Sequence, residues 1–525
     1  MSKRPLIGLA GVIIAAMTVE LNNRISSITL SDIRGAMGLD ADSGLWISSI
    51  YASMMIIGMV ISVSWAGIFS LRKMIFFSIA LCCISSIVIP FSSNIEIFYF
   101  FRGLQGLANG LTIPLLMTCA LRFLAPDIRL WGLACYALTA TFFPNLSIAL
   151  AAFYLDVLGW KFVFFQTIPL SILSAMLVYY GIPQDPLNFA KIKTYDWIGS
   201  FLAIIGFSAL STMLLHGNHL DWFNSQFISL LAILSVVSIV LFLWHEWRYA
   251  TPLINLRILE IRNFAYAVLA LFLFVIIGMS TSSLPLNYLT AVQGYKPMQS
   301  MWIGLEIAAL QLLYIPIVIK LLNQSWLDSR YVHGFGLICV IIGCLGASQL
   351  DTTWNREQFY FWNMISGFGQ TSVVLSLLMM GTNSVPLHMA PYAAPMINTP
   401  RAISTVVGVS FLDWISRIRG EYHSTRLLEN TAQHVFQNIQ GPVIDPMNPP
   451  VLTENGIARV SGGLSNLSSA IQAQQSVLVI SDQYLILAGV AAILFVIMLI
   501  LPVRTYPPHI ALAHPVQPQS SGKKS

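Results

Sequence analysis

The sequence predicts an all-α, polytopic membrane protein of fourteen transmembrane helices with both termini in the cytoplasm. Three observations carry that expectation. Of 525 residues, 56% are hydrophobic and only 9% charged, with a mean hydropathy of +0.74. Soluble domains carry about 25% charged residues, so most of this chain belongs in hydrocarbon. Apolar windows of about 20 residues, the length that crosses a bilayer core, recur fourteen times. The bases between them are unequally shared: 16 fall on the side of the N-terminus and 8 on the other, four of those 8 around one long outer loop, which places the N-terminus inside. Helices are the element expected, because an open strand edge in lipid leaves backbone groups unsatisfied.

The first window, 7–29, follows MSKRP and imitates a secretory signal, but it continues into polar span-like sequence and more spans follow, so a retained span is expected. Arg34 separates it from 45–69, and Arg72 and Lys73 precede 74–92. Windows 97–121, 130–153 and 162–182 alternate with Arg122 and Arg129 inside and Lys161 outside. Lys191 and Lys193 lead into 196–215 and 225–244, and Arg248, Arg257 and Arg262 into 264–289. Then come 299–321, 331–350, 358–384 and 392–416, separated by Lys320, Arg330 and Arg356. Residues 418–480 form a long polar outer connection containing GPVIDPMNPP and RVSGGLSNLSSAIQAQQ, the latter able to make one amphipathic helix, and 482–503 is the last span. The Pro-, Ser- and Gln-rich tail is expected to be disordered. The chain thus divides into a six-helix half (1–182), two extra helices with flanking linkers (183–262), a second six-helix half (263–503) and a tail (504–525).

Several function classes are disfavoured. All six cysteines lie in apolar runs, where Cys acts as a small hydrophobe, and no CxxC pattern is present. There is no GxxxxGK loop for ATP and no cluster of nucleophile, base or metal ligands, so neither an enzyme nor a cofactor is expected. The pair His216 and His219 in HGNH reads as solvated loop. The net charge of +5 follows membrane topology and is a poor argument for nucleic acid.

Function should reside in the ionisable groups inside spans, each costing at least ~2.5–3.5 kcal/mol without a partner or a wet cavity. They are Glu20 and Arg24 in the first span, Arg102 in the fourth, Glu306 in the tenth and Arg401 in the thirteenth. Glu20 and Arg24 are four apart, hence on one helix face. Either they only neutralise one another, or Glu20 exchanges Arg24 or Arg102 for a proton. Glu306 has no ionisable neighbour at helical spacing; it either meets substrate or another helix, or reaches interfacial water.

The stretch FFRGLQGLANG (100–110) resembles the fourth-span signature of the major facilitator superfamily: Gly103, Gly106 and Gly110 permit close helix approach beside Arg102 and Gln105. Fourteen spans narrow the resemblance to drug/proton antiporters of the EmrB/QacA type. WKFVFFQTIPLSI (160–172), LPLNYLTAVQGYKPMQSMWIG (284–304), ISGFGQ (365–370), NTPRAISTVVGVSF (398–411), EYHSTRLLE (421–429) and AQQSVLVISDQYLIL (473–487) are similar to further segments of that group, covering nearly the whole chain. There are departures. Asn22 stands where the family's first-span Asp belongs and Arg24 where its Thr belongs; the loop signature is reduced to GIFSLRK; and the fifth-span antiporter motif survives as FFPNLSIALAA, retaining Pro144 to bend the helix.

The resemblance implies a bacterial inner-membrane, proton-coupled exporter of amphipathic or aromatic compounds working by alternating access. In it Glu20, Arg24 and Arg102 would serve proton coupling. Asn22, Asn23, Glu306, Arg401, Phe142, Phe143, Met279, Met364 and also Met17 would line the substrate cavity. A periplasmic adaptor protein leading to an outer-membrane channel would dock on 418–480. The other readings are a transporter of one metabolite, and a transporter-derived sensor without proton-driven turnover.

Overall fold

A computed structural model describes residues 4–92, 94–386, 389–440 and 463–507. Among these the architecture is wholly helical. The first sequence group comprises α1 (Arg4–Ile28), α2 (Ala41–Phe69), α3 (Leu71–Val88), α4 (Ile95–Phe123), α5 (Pro126–Ala137), α6 (Phe142–Phe153) and α7 (Thr167–Gly181). Next come α8 (Trp197–Gly217) and α9 (Gln226–Arg248), then α10 (Arg262–Ile277), α11 (Pro297–Leu322), α12 (Ser329–Ala347), α13 (Arg356–Asn383), α14 (Ala390–Gln440) and α15 (Gly463–Ile500). Polar side chains start many of them: Asp40 Oδ1 accepts from Ser43 N at 3.0 Å, and Asn94 Oδ1 from Glu96 N at 2.8 Å.

Among the described residues, twelve helices are long and apolar enough to cross a membrane, and a thirteenth arises if Ile128–Ala137 and Phe142–Leu158, bent by 42°, count as one span. The break matches Pro144. Its ring nitrogen cannot donate, and Phe142 N and Phe143 N both turn back to Leu138 O, which leaves Thr139 O without its usual partner along the helix. The expected span at 392–416 lies within α14. Asn398, Thr399, Pro400, Arg401 and Ser404 make it too polar to pass on apolarity, yet all but the half-buried Pro400 are buried, against α2, α10 and α15 among others.

Close packing sets the frame. On α4, a Cβ at Gly106 would lie 2.3 Å from Tyr51 O, and one at Gly110 would lie 2.2 Å from Met55 O. Backbone therefore meets backbone along the α2–α4 seam, which small residues alone permit.

Three expectations require correction. The connection 418–480 is not a polar loop throughout: α14 runs without interruption from the bundle to Gln440, and the chain is helical again from Gly463. The segment expected to form a separate amphipathic helix is, from Gly463 onward, the leading part of α15. The two extensions are joined side by side, Asp482 Oδ2 receiving Arg419 Nε and facing His423 Nε2, each at 2.6 Å, and Gln475 Nε2 donating to Gly420 O at 3.0 Å. The Pro-rich 441–450 and the tail from 508 lie outside the described residues. The third correction is His216, which is not solvated: it is 3% exposed at the end of α8, 3.1 Å from Ser49 Oγ and against Trp46. His219 does face water, paired with Asp42 at 2.5 Å.

Candidate functional site

On α1 the polar residues split between two directions. Glu20, Asn23 and Arg24 face a narrow cavity, whereas Asn22, rotated by about 200° from Glu20, turns away from it. Asn22 Nδ2 donates to Thr167 Oγ1 at 3.1 Å, and its Oδ1 accepts from Arg102 Nη1 at 3.3 Å. Arg102 also donates to Gln105 Oε1 at 2.9 Å and lies 4.2 Å over the Tyr51 ring, while Gln105 Nε2 donates to Ser86 Oγ at 2.8 Å. Arg102 is thus held by neutral acceptors and a ring face, and its cation–π contact, away from water, is worth about 2 kcal/mol.

Glu20 is 6% exposed and loosely held: Arg24 Nε lies 3.4 Å from Oε1, and Asn109 Nδ2 lies 3.4 Å from Oε2. Asn109 makes its short bond elsewhere, to Tyr51 Oη at 2.8 Å. The expected pairing with Arg24 is present. Arg102 is occupied by Asn22 and Gln105 instead of Glu20, because the carboxylate sits on the other side of α1.

Arg401 approaches the same cavity from α14. Its Nη1 donates to Thr139 Oγ1 and its Nη2 to Thr139 O, both at 2.9 Å, and Nη1 reaches Tyr136 Oη at 3.4 Å. Tyr136 in turn donates to Asn398 Oδ1 at 2.7 Å. Arg401 therefore supplies the donor that the break before Pro144 withholds from Thr139 O. Its partners in this cluster are all neutral, so a buried positive charge stands at the cavity wall.

Around these groups the cavity is lined by Met55, Met59, Ile113, Phe274, Val275, Met279 and Pro144, among others. It therefore joins α1, α2, α4 and α6 to α10 and α14. Of the residues expected to line it, Asn23, Arg401 and Met279 meet there, joined by Glu20 and Arg24, expected in proton coupling, and by Pro144, expected to bend the helix. The others lie elsewhere. Phe143 is buried in a separate apolar cluster with Leu21, Ile25 and Phe164, against which Met17 and Phe142 also pack. Met364 is 40% exposed on the outside of α13. Glu306 lies on α11, half-buried, with Oε2 enclosed and without a hydrogen-bond partner. Gly103 faces Ile50 and Met54 side chains on the α2–α4 seam.

Sequence reasoning missed Tyr51, Asn109, Tyr136, Thr139 and Asn398. Two had a usable signal: Asn109 lies two helical turns after Arg102, and Asn398 lies one turn before Arg401. Among the described residues, no group of three His, Cys, Asp or Glu is arranged to hold a metal.

The Major Facilitator Superfamily model matches residues 12–409. The chain is 24% identical to the "Probable multidrug resistance protein EmrY" of Escherichia coli (strain K12), over 92% of this chain and 93% of the relative. It is 25% identical to the "Fatty acid resistance protein FarB" of Neisseria gonorrhoeae, over 79% and 82%. Among solved structures it is similar in fold to a POT family transporter in complex with a thioalcohol-conjugated peptide, with a TM-score of 0.59, 12% identity and coverage of 94% and 95%.

Proposed function

Because the chain belongs to the Major Facilitator Superfamily, we propose that it is a proton-coupled secondary transporter of the bacterial inner membrane, exporting amphipathic and aromatic compounds. The observation that carries this reading is the single cavity in which Glu20, Arg24 and Arg401 meet apolar, adaptable side chains. The halves 1–182 and 263–503 rock about that cavity, 183–262 rides with them as a two-helix insert, and all fourteen spans leave both termini in the cytoplasm.

Each residue has a task that follows from its contacts. Glu20 carries the proton: its two long contacts, to Arg24 and Asn109, hold the carboxylate weakly enough to be given up. Protonation discharges Glu20 and releases Arg24, which is 27% exposed and free to swing within the cavity. Arg102 fixes α1 to α4 through Asn22 and keeps the rotation of α1 that presents Glu20. Arg401 and Asn398 hold α14 against Thr139 and Tyr136, so the halves part only when those bonds break. Met55, Met59 and Met279 bring flexible, polarizable surface to the substrate, which favours a range of amphipathic ligands over one metabolite. The names of several relatives, multidrug export and resistance proteins, agree with that breadth. The paired extensions of α14 and α15 support docking of a periplasmic adaptor on their outer part.

The test is reconstitution in liposomes with an imposed proton gradient and a fluorescent aromatic dye, comparing wild type with Glu20→Gln. Gradient-driven dye flux that disappears in Glu20→Gln is the expected result. Flux that survives the substitution removes Glu20 from coupling and turns attention to Glu306, and dye binding without gradient-driven flux in wild type overturns the transporter reading in favour of a sensor.

A further inference from the structure

Away from the cavity, the two-helix insert buries a pair of carboxyl groups that no step above uses. Asp196 precedes α8 and is 1% exposed; Glu246 lies in the last turn of α9 and is 2% exposed. One oxygen of each is satisfied. Asp196 Oδ1 accepts from Gly199 N at 2.7 Å and lies 2.8 Å from His245 Nε2, and Glu246 Oε2 accepts from Ile254 N at 3.1 Å. The other two, Asp196 Oδ2 and Glu246 Oε1, are enclosed without a donor.

Those two oxygens face the same point. A Cβ added to Gly199 would lie 2.4 Å from Asp196 Oδ2 and 2.6 Å from Glu246 Oε1. A side chain at position 199 would therefore displace the carboxyl groups from the point where they converge. Two ionised carboxylates enclosed together repel each other and leave lone pairs unpaired, whereas one proton makes one oxygen a donor and the other its acceptor.

Among the described residues, the surrounding groups supply no second cation. His245, 2.8 Å from Oδ1, is 19% exposed and stacks on Tyr249. Arg248 lies over the Trp244 ring at 4.4 Å. Tyr195 bonds to Ser200 Oγ at 2.7 Å and to Trp65 Nε1 of α2 at 2.9 Å. From the linker after α9, the contacts on Glu246 are the backbone N–H groups of Ile254 and Leu253. His245, even when protonated, lies on the Oδ1 side of Asp196 and leaves the facing oxygens as they are.

We infer that Asp196 and Glu246 share one proton, a proton-binding site in the two-helix insert that fastens α8, α9 and the linker 249–261 to one another. The inference stands independently of the transport reading. Below the pH at which this proton leaves, the joint is closed; above it, two buried negative charges push α8 and α9 apart. The joint therefore weakens as alkali removes the shared proton and leaves both carboxyl groups ionised.

The experiment uses the full chain in liposomes. Infrared difference spectra between wild type and Glu246→Gln, and between wild type and Asp196→Asn, isolate the carboxylic C=O band of the pair as pH is raised, and thermal unfolding is followed over the same range. The expected result is a protonated-carboxyl band at neutral pH that vanishes on alkalinisation and is missing from both variants. With it, wild type should show a falling Tm on the alkaline side, and Glu246→Gln, whose amide is a permanent donor toward Asp196 Oδ2, should not. Glu246→Gln and Asp196→Asn act on opposite partners, so failure of one to fold leaves the other to decide. Neutral-pH spectra of wild type and a folded variant that coincide in this band, or an alkaline decline in Tm that persists in the variant, overturn the assignment.

Discussion

Replacing Gly110 with alanine tests whether the polar network rests on backbone approach between α2 and α4. The new Cβ would lie 2.2 Å from Met55 O and 2.8 Å from the Cα of Gly58, while at Gly106 it would lie 2.3 Å from Tyr51 O. These neighbours are backbone and cannot rotate aside. Restoring ordinary contact requires the helices to separate by about 1 Å in so tightly packed a seam. The Asn109–Tyr51 bond crosses that seam at 2.8 Å, and such a separation carries it beyond hydrogen-bond reach. Overpacking costs about 1–3 kcal/mol, and leaving buried polar atoms unpaired adds about 1–3 kcal/mol. Gly103→Ala is the control, because its Cβ would meet only the Ile50 and Met54 side chains, at 3.2 and 3.5 Å. Thermal unfolding in detergent, read by tryptophan fluorescence, should show a clearly lower Tm for Gly106→Ala and Gly110→Ala than for Gly103→Ala. Dye flux below the unfolding temperature should fall in the same order. Equal stability and flux in all three variants would refute the reasoning.

Arg401→Lys keeps the charge but replaces the planar fork, whose Nη1 and Nη2 donate separately to Thr139 Oγ1 and Thr139 O, with one nitrogen on a flexible stem, and hydrogen bonds from charged groups are worth about 1.5–3 kcal/mol each. The equilibrium between conformers should shift by about tenfold or more, read as a changed distance distribution between spin labels at the exposed positions 131 and 409; an unchanged distribution speaks against Arg401 holding the halves together. Tyr136→Phe removes the donor to the buried Asn398 Oδ1 and should cost about 1–3 kcal/mol in chemical denaturation. At the start of α2, the hydroxyl and backbone N–H of Ser43 hold the exposed Asp40 carboxyl below its ordinary value. That stabilisation is present above the unfolded pKa of about 3.9 and is lost as pH falls through the depressed folded value. The difference in Tm between wild type and Asp40→Asn should therefore be greatest near neutral pH and shrink on acidification.

How much was legible depended on the range of the interaction. Span positions follow from local hydropathy, and the Glu20–Arg24 pair from helical spacing, so both were readable. The opposite facing of Glu20 and Asn22 was readable as geometry, but which of them met Arg102 was not, since that depends on how α1 is rotated against α4 and α7. Thr139 owes its role to a carbonyl exposed by the break before Pro144, and a guanidinium from 262 residues later in the chain satisfies it. No local pattern encodes such a pairing. The outer connection was misjudged because its polarity was weighed above the scarcity of helix breakers: from Arg417 to Gln440 the sequence holds one glycine and no proline, and the helix runs through.

That unbroken helix gives the molecule a mechanical property. From Arg401 at the cavity wall to Gln440, α14 covers about 58 Å at 1.5 Å per residue. Carried rigidly, each degree of tilt at Arg401 displaces the far end by about 1 Å. The helix acts as a lever arm with its short end among the charged groups, so a motion too slight to resolve inside the bundle becomes several ångströms of travel where another protein could feel it.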